Sequence, residues 1–393
     1  MFMDYFVTKY DIDRPPGAQS AVLEDSIMHK GHPVTAGSRI IGDFISPLDA
    51  TVVTRLEDEG IPILGKTKMD EFGASALFFD QVSESGAVAA VADGVASLGL
   101  CNDYAGAVSL EAAAKGVCYI HPTYGTVSRY GVVHAVSSMD QVGIVSRTPS
   151  EGFHALSVIA GHDAKDGAMF RDSGSGKEDH AGRIRIGVPS NALASPQDAS
   201  IIAEFVNDFE AVGFELPYYD VYVQVMQILC CAELSSNLTR YDGIKFGYRT
   251  PEYRDLLELY TKTRTEAFGA DAKLASIIGS MVLSQEEYLR YYDKAMRIRR
   301  LIKESLDFNK YDAIVLPSRQ DGAMRSEGAL KQGGGSSDSL CGGHTGGPSP
   351  YAALPRLCGL PAVTVPYGGS GIILVADARR EDILESALEV AGI

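Results

Sequence analysis

Residues 101–116 read CNDYAGAVSLEAAAKG. An apolar run ends at Cys101, Asp103 and Gly106 sit in a turn of small residues, and an alanine-rich segment follows. This is the pattern of a strand that stops in a tight turn and feeds a helix. Many hydrolases hold their nucleophile at such a place, because the N–H groups of a helix N-terminus favour negative charge. Yet the central residue of this turn is Ala107, which carries no nucleophilic atom. The stretch has the outline of an active site with its chemistry removed.

On both sides of the turn, strand and helix patterns alternate. Residues 46–60, SPLDATVVTRLEDEG, read as a helix with Ser46 as cap, Pro47 in the first turn, Val52, Val53 and Leu56 on the apolar face, and Gly60 at the end. IPILG (61–65) follows as a short buried strand. SGAVAAVADGVASLGL (85–100) reads as helix then strand, and so many Ala and Gly residues require very close packing. GVCYIH (116–121) is a further core strand. RTPSEGFHALSVIAGHD (147–163) is an amphipathic helix with Thr148 as cap and Gly161 at its end. RIRIGVP and YDAIVLP are strands that stop at proline, and residues 221–310 read as mostly helical. GLPAVTVPYG and GIILVADA are late strands, and REDILESALEVAGI is a closing amphipathic helix. The alternation predicts an α/β fold with a mainly parallel or mixed sheet. Residues 172–182 and 331–350, rich in Gly and Ser, read as a polar surface loop and a longer flexible loop.

Composition narrows the function classes. The chain has 393 residues, 45% hydrophobic, with a net charge of −16. Such a field repels phosphate backbones, so direct nucleic-acid binding is not expected. No apolar run reaches the roughly 18 residues of a membrane helix, and the N-terminal stretch lacks the marks of a secretory leader. Six cysteines (Cys101, Cys118, Cys230, Cys231, Cys341 and Cys358) show no CxxC spacing. Reduced, buried thiols and a cytoplasmic location are expected. The eight histidines form no ligand pair at helical spacing, so neither a metal centre nor a cofactor is expected.

Four blocks together resemble the amidase signature family: TAGSRIIGDFISPLDATVVTRLEDEGIPILGKTKMDEFG (35–73), HPTYGTVSRYGVVHAVSSMDQVGIVSRT (121–148), SSNLTRYDGIKFGYRT (235–250) and GLPAVTVPYG (359–368). They are most similar to its branch of glutamyl-tRNA(Gln) amidotransferase A subunits. The resemblance implies one amidase-like domain over 1–393, a large mixed β-sheet core flanked by helices, with the family's N-terminal helical segment largely missing. It also implies a Ser-Ser-Lys relay. In that relay a buried neutral Lys takes a proton from a bridging Ser, which takes one from the nucleophilic Ser, and a turn of backbone N–H groups holds the oxyanion.

Carried over position by position, the relay is broken. The Lys position falls on Glu24, reversing the charge, while Lys66 belongs to a different block. The bridging Ser falls on Ser83, and the nucleophile falls on Ala107. The oxyanion turn is Asp103, Tyr104, Ala105 and Gly106, in which Asp103 and Gly106 match the family. The basic pair expected to hold a substrate carboxylate falls on Leu274 and Ala275. Between MDEFG and Ser83 the chain is shorter than the family pattern. Ser85, Ser109 and Cys101 are the candidates for a displaced nucleophile, although Ser109, two residues on, points about 200° away from Ala107 on a helix. Arg240, Tyr241 and Asp242 are expected to be structural. Glu24 is expected to be an exposed or paired acid, with a raised pKa if buried.

The leading expectation is a catalytically inactive amidase-fold protein that binds or scaffolds, beside an amidotransferase-like subunit or as a homodimer. The second is an active amide hydrolase or amidotransferase with a displaced nucleophile. The third is a small-molecule binder that uses the old cleft, with Glu24 and His344 as polar contacts.

Overall fold

The structure is a computed structural model that describes residues 5–12, 17–78, 84–171, 183–193, 195–318 and 348–393. Ser83, Cys341, His344 and the stretch 172–182 lie outside the described residues, as does 331–350 up to residue 347.

Eleven strands are described: β1 (Phe6–Lys9), β2 (Ala21–Glu24), β3 (Ile63–Thr67), β4 (Leu98–Asn102), β5 (Cys118–His121), β6 (Val142–Ser146), β7 (Arg185–Pro189), β8 (Glu210–Phe214), β9 (Ala313–Pro317), β10 (Ala362–Val365) and β11 (Ile372–Ala376). They form one sheet in the order β1-β3-β2-β4-β6-β5-β10-β11-β9-β7-β8. Pairing is parallel for β2 with β3 and β4, and for β7 with β8 and β9, and antiparallel elsewhere. The helices are α1 (Thr51–Asp58), α2 (Gly86–Ala92), α3 (Ala107–Ala114), α4 (Pro149–Ile159), α5 (Pro196–Phe205), α6 (Tyr222–Leu238), α7 (Leu256–Ala267), α8 (Ala270–Val282), α9 (Tyr292–Glu304), α10 (Pro350–Cys358) and α11 (Glu381–Val390). The expected α/β fold with a large mixed sheet is what forms.

The central strands read as unbroken apolar runs because both faces of the sheet are covered. In β9, Ile314 and Leu316 join the core that contains α6, while Ala313 and Val315 join the opposite core. In β11, Ile373 and Val375 face the first and Ile372 and Leu374 the second. A third cluster sets α2 and α3 against Val22, Cys101, Tyr119 and Val145. Close packing of α2 follows from its small residues: a Cβ at Gly99 of β4 would sit 3.2 Å from the Ala87 methyl.

Thr148 caps α4 by accepting from Glu151 N at 3.3 Å. One helix start differs from its expectation. The first helix begins at Thr51, not at Ser46 or Pro47, and its N-cap is Ala50. The Ser46 hydroxyl instead donates to Leu48 O at 2.6 Å, and Asp49 accepts from Lys30 N at 2.7 Å. The Ser46 bond closes SPLD into a turn before the helix, as short polar side chains often do, and the Asp49 bond ties that turn to a segment 19 positions earlier. Cys101, Cys118, Cys230, Cys231 and Cys358 are buried free thiols.

Candidate functional site

β2 and β4 run side by side in parallel, with Leu23 opposite Leu100. Their C-terminal ends therefore lie together, and the turn after β4 opens there into α3. In α/β sheets this is where strands release the chain into ligand-facing turns.

Asp103 builds the turn. Its Oδ1 accepts from Gly106 N at 2.9 Å and Val108 N at 3.2 Å, and its Oδ2 accepts from Ser109 N at 2.9 Å. Three orphan donors of the helix N-terminus are thus satisfied by one carboxylate. Gly106 is the N-cap, with φ +90°, and a Cβ there would lie 2.5 Å from the Ala352 methyl. Only glycine meets both demands without strain. From α10, Arg356 donates to Asp103 O at 2.6 Å, to Asp103 Oδ2 at 2.5 Å and to Ser109 Oγ at 3.0 Å. Tyr104 is buried and donates from its hydroxyl to Phe72 O at 2.9 Å.

Glu24 ends β2 and is 3% exposed. Its Oε1 accepts from Ser26 Oγ at 2.5 Å and from Asn102 N at 3.3 Å. Burial pushes its carboxyl up to about 7, and Asp103 adds to the rise, while Ser26, Asn102 and Lys66 oppose it. Glu24 is thus the buried acid with a raised pKa that its position allowed for. Glu111, on α3, accepts from Ser85 N at 3.0 Å through Oε2, and its Oε1 is buried without a hydrogen bond. Burial takes this carboxyl up to about 7 as well, helped by Asp70 and Asp103.

Glu24, Asp70, Ser85, Asp103, Ala107 and Glu111 line one cavity of about 50 Å³. Tyr104 and Ala105 of the turn line it too. So Glu24, Ala107 and the turn share one cavity, while the carried-over Ser83 position lies outside the described residues. Leu274 and Ala275 do not join them: on α8 the first is 40% exposed and the second is buried in the helical core. Lys66 is buried but does not line the cavity. Its Nζ donates to Ile27 O and lies 3.5 Å from Asp25 Oδ1, and burial lowers its pKa to about 8.

The displaced-nucleophile candidates are engaged elsewhere. The Ser109 hydroxyl is buried and donates to Gly106 O at 2.8 Å. Burial holds the Cys101 thiol well above its ordinary pKa, away from the thiolate that would react. Ser85 lines the cavity but caps α2, accepting from Val88 N at 3.5 Å. Arg240 and Asp242 bond locally to Asn237 and Ile244, and Tyr241 stacks on Phe72. Among the described residues no three His, Cys, Asp or Glu side chains gather as metal ligands. Sequence reading missed Glu111, Asp70 and Arg356. A helix charge at i+4 from Ala107 was the only signal for the first, and nothing local marked the last.

The model of the amidase family matches residues 21–77 and 82–371. The chain belongs to the amidase family. Among curated relatives, this amidase-family chain is 36% identical over 386 residues to the glutamyl-tRNA(Gln) amidotransferase A subunit of Lachnoclostridium phytofermentans, covering 91% of this chain and 76% of that one. It is 34% identical to the corresponding A subunit of Trichodesmium erythraeum, covering 94% and 82%. In fold it is similar to the crystal structure of the A subunit from Thermotoga maritima, with a TM-score of 0.69 and 23% identity over 96% of this chain and 85% of that one. The peptide amidase of Stenotrophomonas maltophilia gives a TM-score of 0.71 at 22% identity over 95% and 82%. No helix among the described residues is long and apolar enough to cross a membrane.

Proposed function

We propose that this amidase-family chain is a single-domain homologue of the amidotransferase A subunits that has lost the Ser-Ser-Lys relay and works as a non-catalytic binding or scaffold protein. One observation carries the reading: Glu24 and Ala107 line the same cavity. A carboxyl group and a methyl group stand where the relay needs an amine and a hydroxyl. A carboxylate can accept a proton, but the methyl of Ala107 offers no hydroxyl for it to activate at the nucleophile position.

A protein partner, either an amidotransferase-like subunit or a second copy, fits the surface. On α8, Leu274, Ile277 and Met281 recur at helical spacing and are 40%, 68% and 49% exposed. Three apolar side chains on one exposed helix face offer a contact surface to a partner. The charge of −16 favours a basic protein partner in the cytoplasm over direct contact with RNA. The test is co-purification of the tagged protein with a stable partner, together with absence of ammonia release from glutamine and simple amides.

A second reading, an amide hydrolase with a displaced nucleophile, rests on Ser85, whose backbone N–H meets Glu111 and which lies in the cavity. Ammonia release that disappears in Ser85→Ala would establish it.

A further inference from the structure

We propose that the ring stack of Tyr10, His29 and His32 is an acid-sensitive clasp, which holds the N-terminal edge strand β1 on the sheet at neutral pH and releases it as the pH falls. This goes beyond the reading above and does not rest on it.

β1 stands at the edge of the sheet and pairs with β3. An edge strand makes ladder bonds on one side only, so what pins its ends decides whether it stays. At one end Lys68 N donates to Tyr5 O at 3.0 Å. At the other, Tyr10 N donates to Leu64 O at 2.9 Å, and the Tyr10 ring closes over two imidazoles. It stacks on His32 with centroids 4.0 Å apart and meets His29 edge-on at 5.2 Å. The two imidazoles are 4.7 Å apart. Neutral rings in such contact bury apolar surface and gain from their mutual geometry. The clasp also reaches the cavity beside Ala107. Lys68, bonded to Tyr5 O, precedes Met69 and Asp70, which line that cavity. Release of β1 therefore frees the segment that forms one of its walls.

The stack suits a neutral His29. Its side chain is 14% exposed, and its Nδ1 is buried without a hydrogen bond among the described residues, as is the Tyr10 hydroxyl. A charged imidazole carries an N–H on each nitrogen. Here only Nε2 faces carboxylates, Glu57 Oε1 at 3.4 Å and Asp49 Oδ1 at 4.0 Å, and Asp49 already accepts from Lys30 N. Glu57 on α1 and Asp49 before it favour the cation, while His32 in the same turn and the buried Lys66 on β3 oppose it. Tyr10 faces Asp25, Glu57 and Asp49, and burial keeps its hydroxyl protonated. Burial outweighs the carboxylates at His29 and, with His32, lowers its pKa. The closed stack thus holds the His29 proton less tightly than an open one in which the ring meets water. Its contribution is whole above the ordinary histidine pKa of about 6.5 and is lost as pH falls below it. A tyrosine face attracts one imidazolium, but protonating both rings sets two cations side by side.

The experiment is amide hydrogen exchange of the full chain at about pH 7.5 and about pH 5, on either side of the histidine range, corrected for the intrinsic pH dependence of exchange. Protection of the Tyr10 amide should fall about tenfold at the lower pH, the factor that one pKa step of linkage gives. The amides of β9, an inner strand, should stay protected and so exclude global unfolding. His29→Asn keeps a polar side chain that does not titrate, and it should give the same Tyr10 protection at both pH values. His32→Gln leaves His29 as the only imidazole of the stack and should keep a smaller fall. The ratio between the two pH values is the readout, so a variant that loosens β1 at both still reports. Equal protection at both pH values in the parent overturns the proposal. So does a rise at the lower pH, which an ion pair of charged His29 with Glu57 would produce, or a fall that persists in His29→Asn.

Discussion

Arg356 on α10 donates through Nη2 to Asp103 Oδ2 at 2.5 Å, although 253 positions separate the two residues. Both side chains are buried. The turn between β4 and α3 is therefore held from outside by a helix near the end of the chain. Removing one member of a buried pair strands the other charge, at about 3–5 kcal/mol. Arg356→Ala should destabilise the fold by that amount in denaturant titrations. Ser109→Ala, which loses one neutral hydrogen bond, should destabilise it by about 1 kcal/mol.

Gly106 answers to geometry alone. With φ +90° and the Ala352 methyl 2.5 Å from where its Cβ would be, Gly106→Ala should lower stability by at least about 1–3 kcal/mol. Gly94, also at positive φ but with open space around it, is the control. Gly94→Ala should have a smaller effect in the same thermal melts.

The Glu24 carboxyl rises from 4.5 to about 7 on folding. The folded state then binds this proton more tightly than the unfolded chain does. Its contribution to stability is present below pH 4.5 and is lost as pH climbs through 7. Across that window the change is on the order of 3 kcal/mol, from about 1.4 kcal/mol per pKa step. Glu24→Gln, which cannot ionise, should be more stable than the parent at pH 8 and equal to it at pH 4. Melting curves of the pair across pH 4–8 check this. A constant difference at every pH would contradict it.

A charge placed on the exposed stripe of α8 should act on assembly without touching the fold. Ile277→Glu, at a 68% exposed position, should leave the melting temperature within about 2 °C, as surface changes away from special features usually do. It should abolish partner co-purification or shift the elution of a homodimer to that of a monomer.

Much of the fold was legible in the chain. The strand, turn and helix of residues 98–114, the Thr148 cap and the doubly buried runs of β9 and β11 follow from patterns a few residues long. Glu24 and Ala107, which came from carrying the family's relay over position by position, line one cavity. The rest depends on contacts between distant segments. Arg356 gave no local sign of its role, because its partner lies across the molecule. Ser46 looked like a helix cap, since nothing nearby reveals that its hydroxyl closes a turn on Leu48. Glu111 on its own helix reads as an ordinary surface charge, and burial beside Ser85 is what makes it part of the site.

The central claim, that no nucleophile works in this cavity, is tested most directly by treating the purified protein with a fluorophosphonate and mapping labelled peptides by mass spectrometry. A thiol probe covers Cys101, and Glu24→Lys/Ala107→Ser runs beside the parent as an attempted restoration. The account predicts no labelled serine and no labelled Cys101 in the folded parent. Labelling of the parent at Ser83, Ser85 or Ser109 would contradict the account and identify the displaced nucleophile.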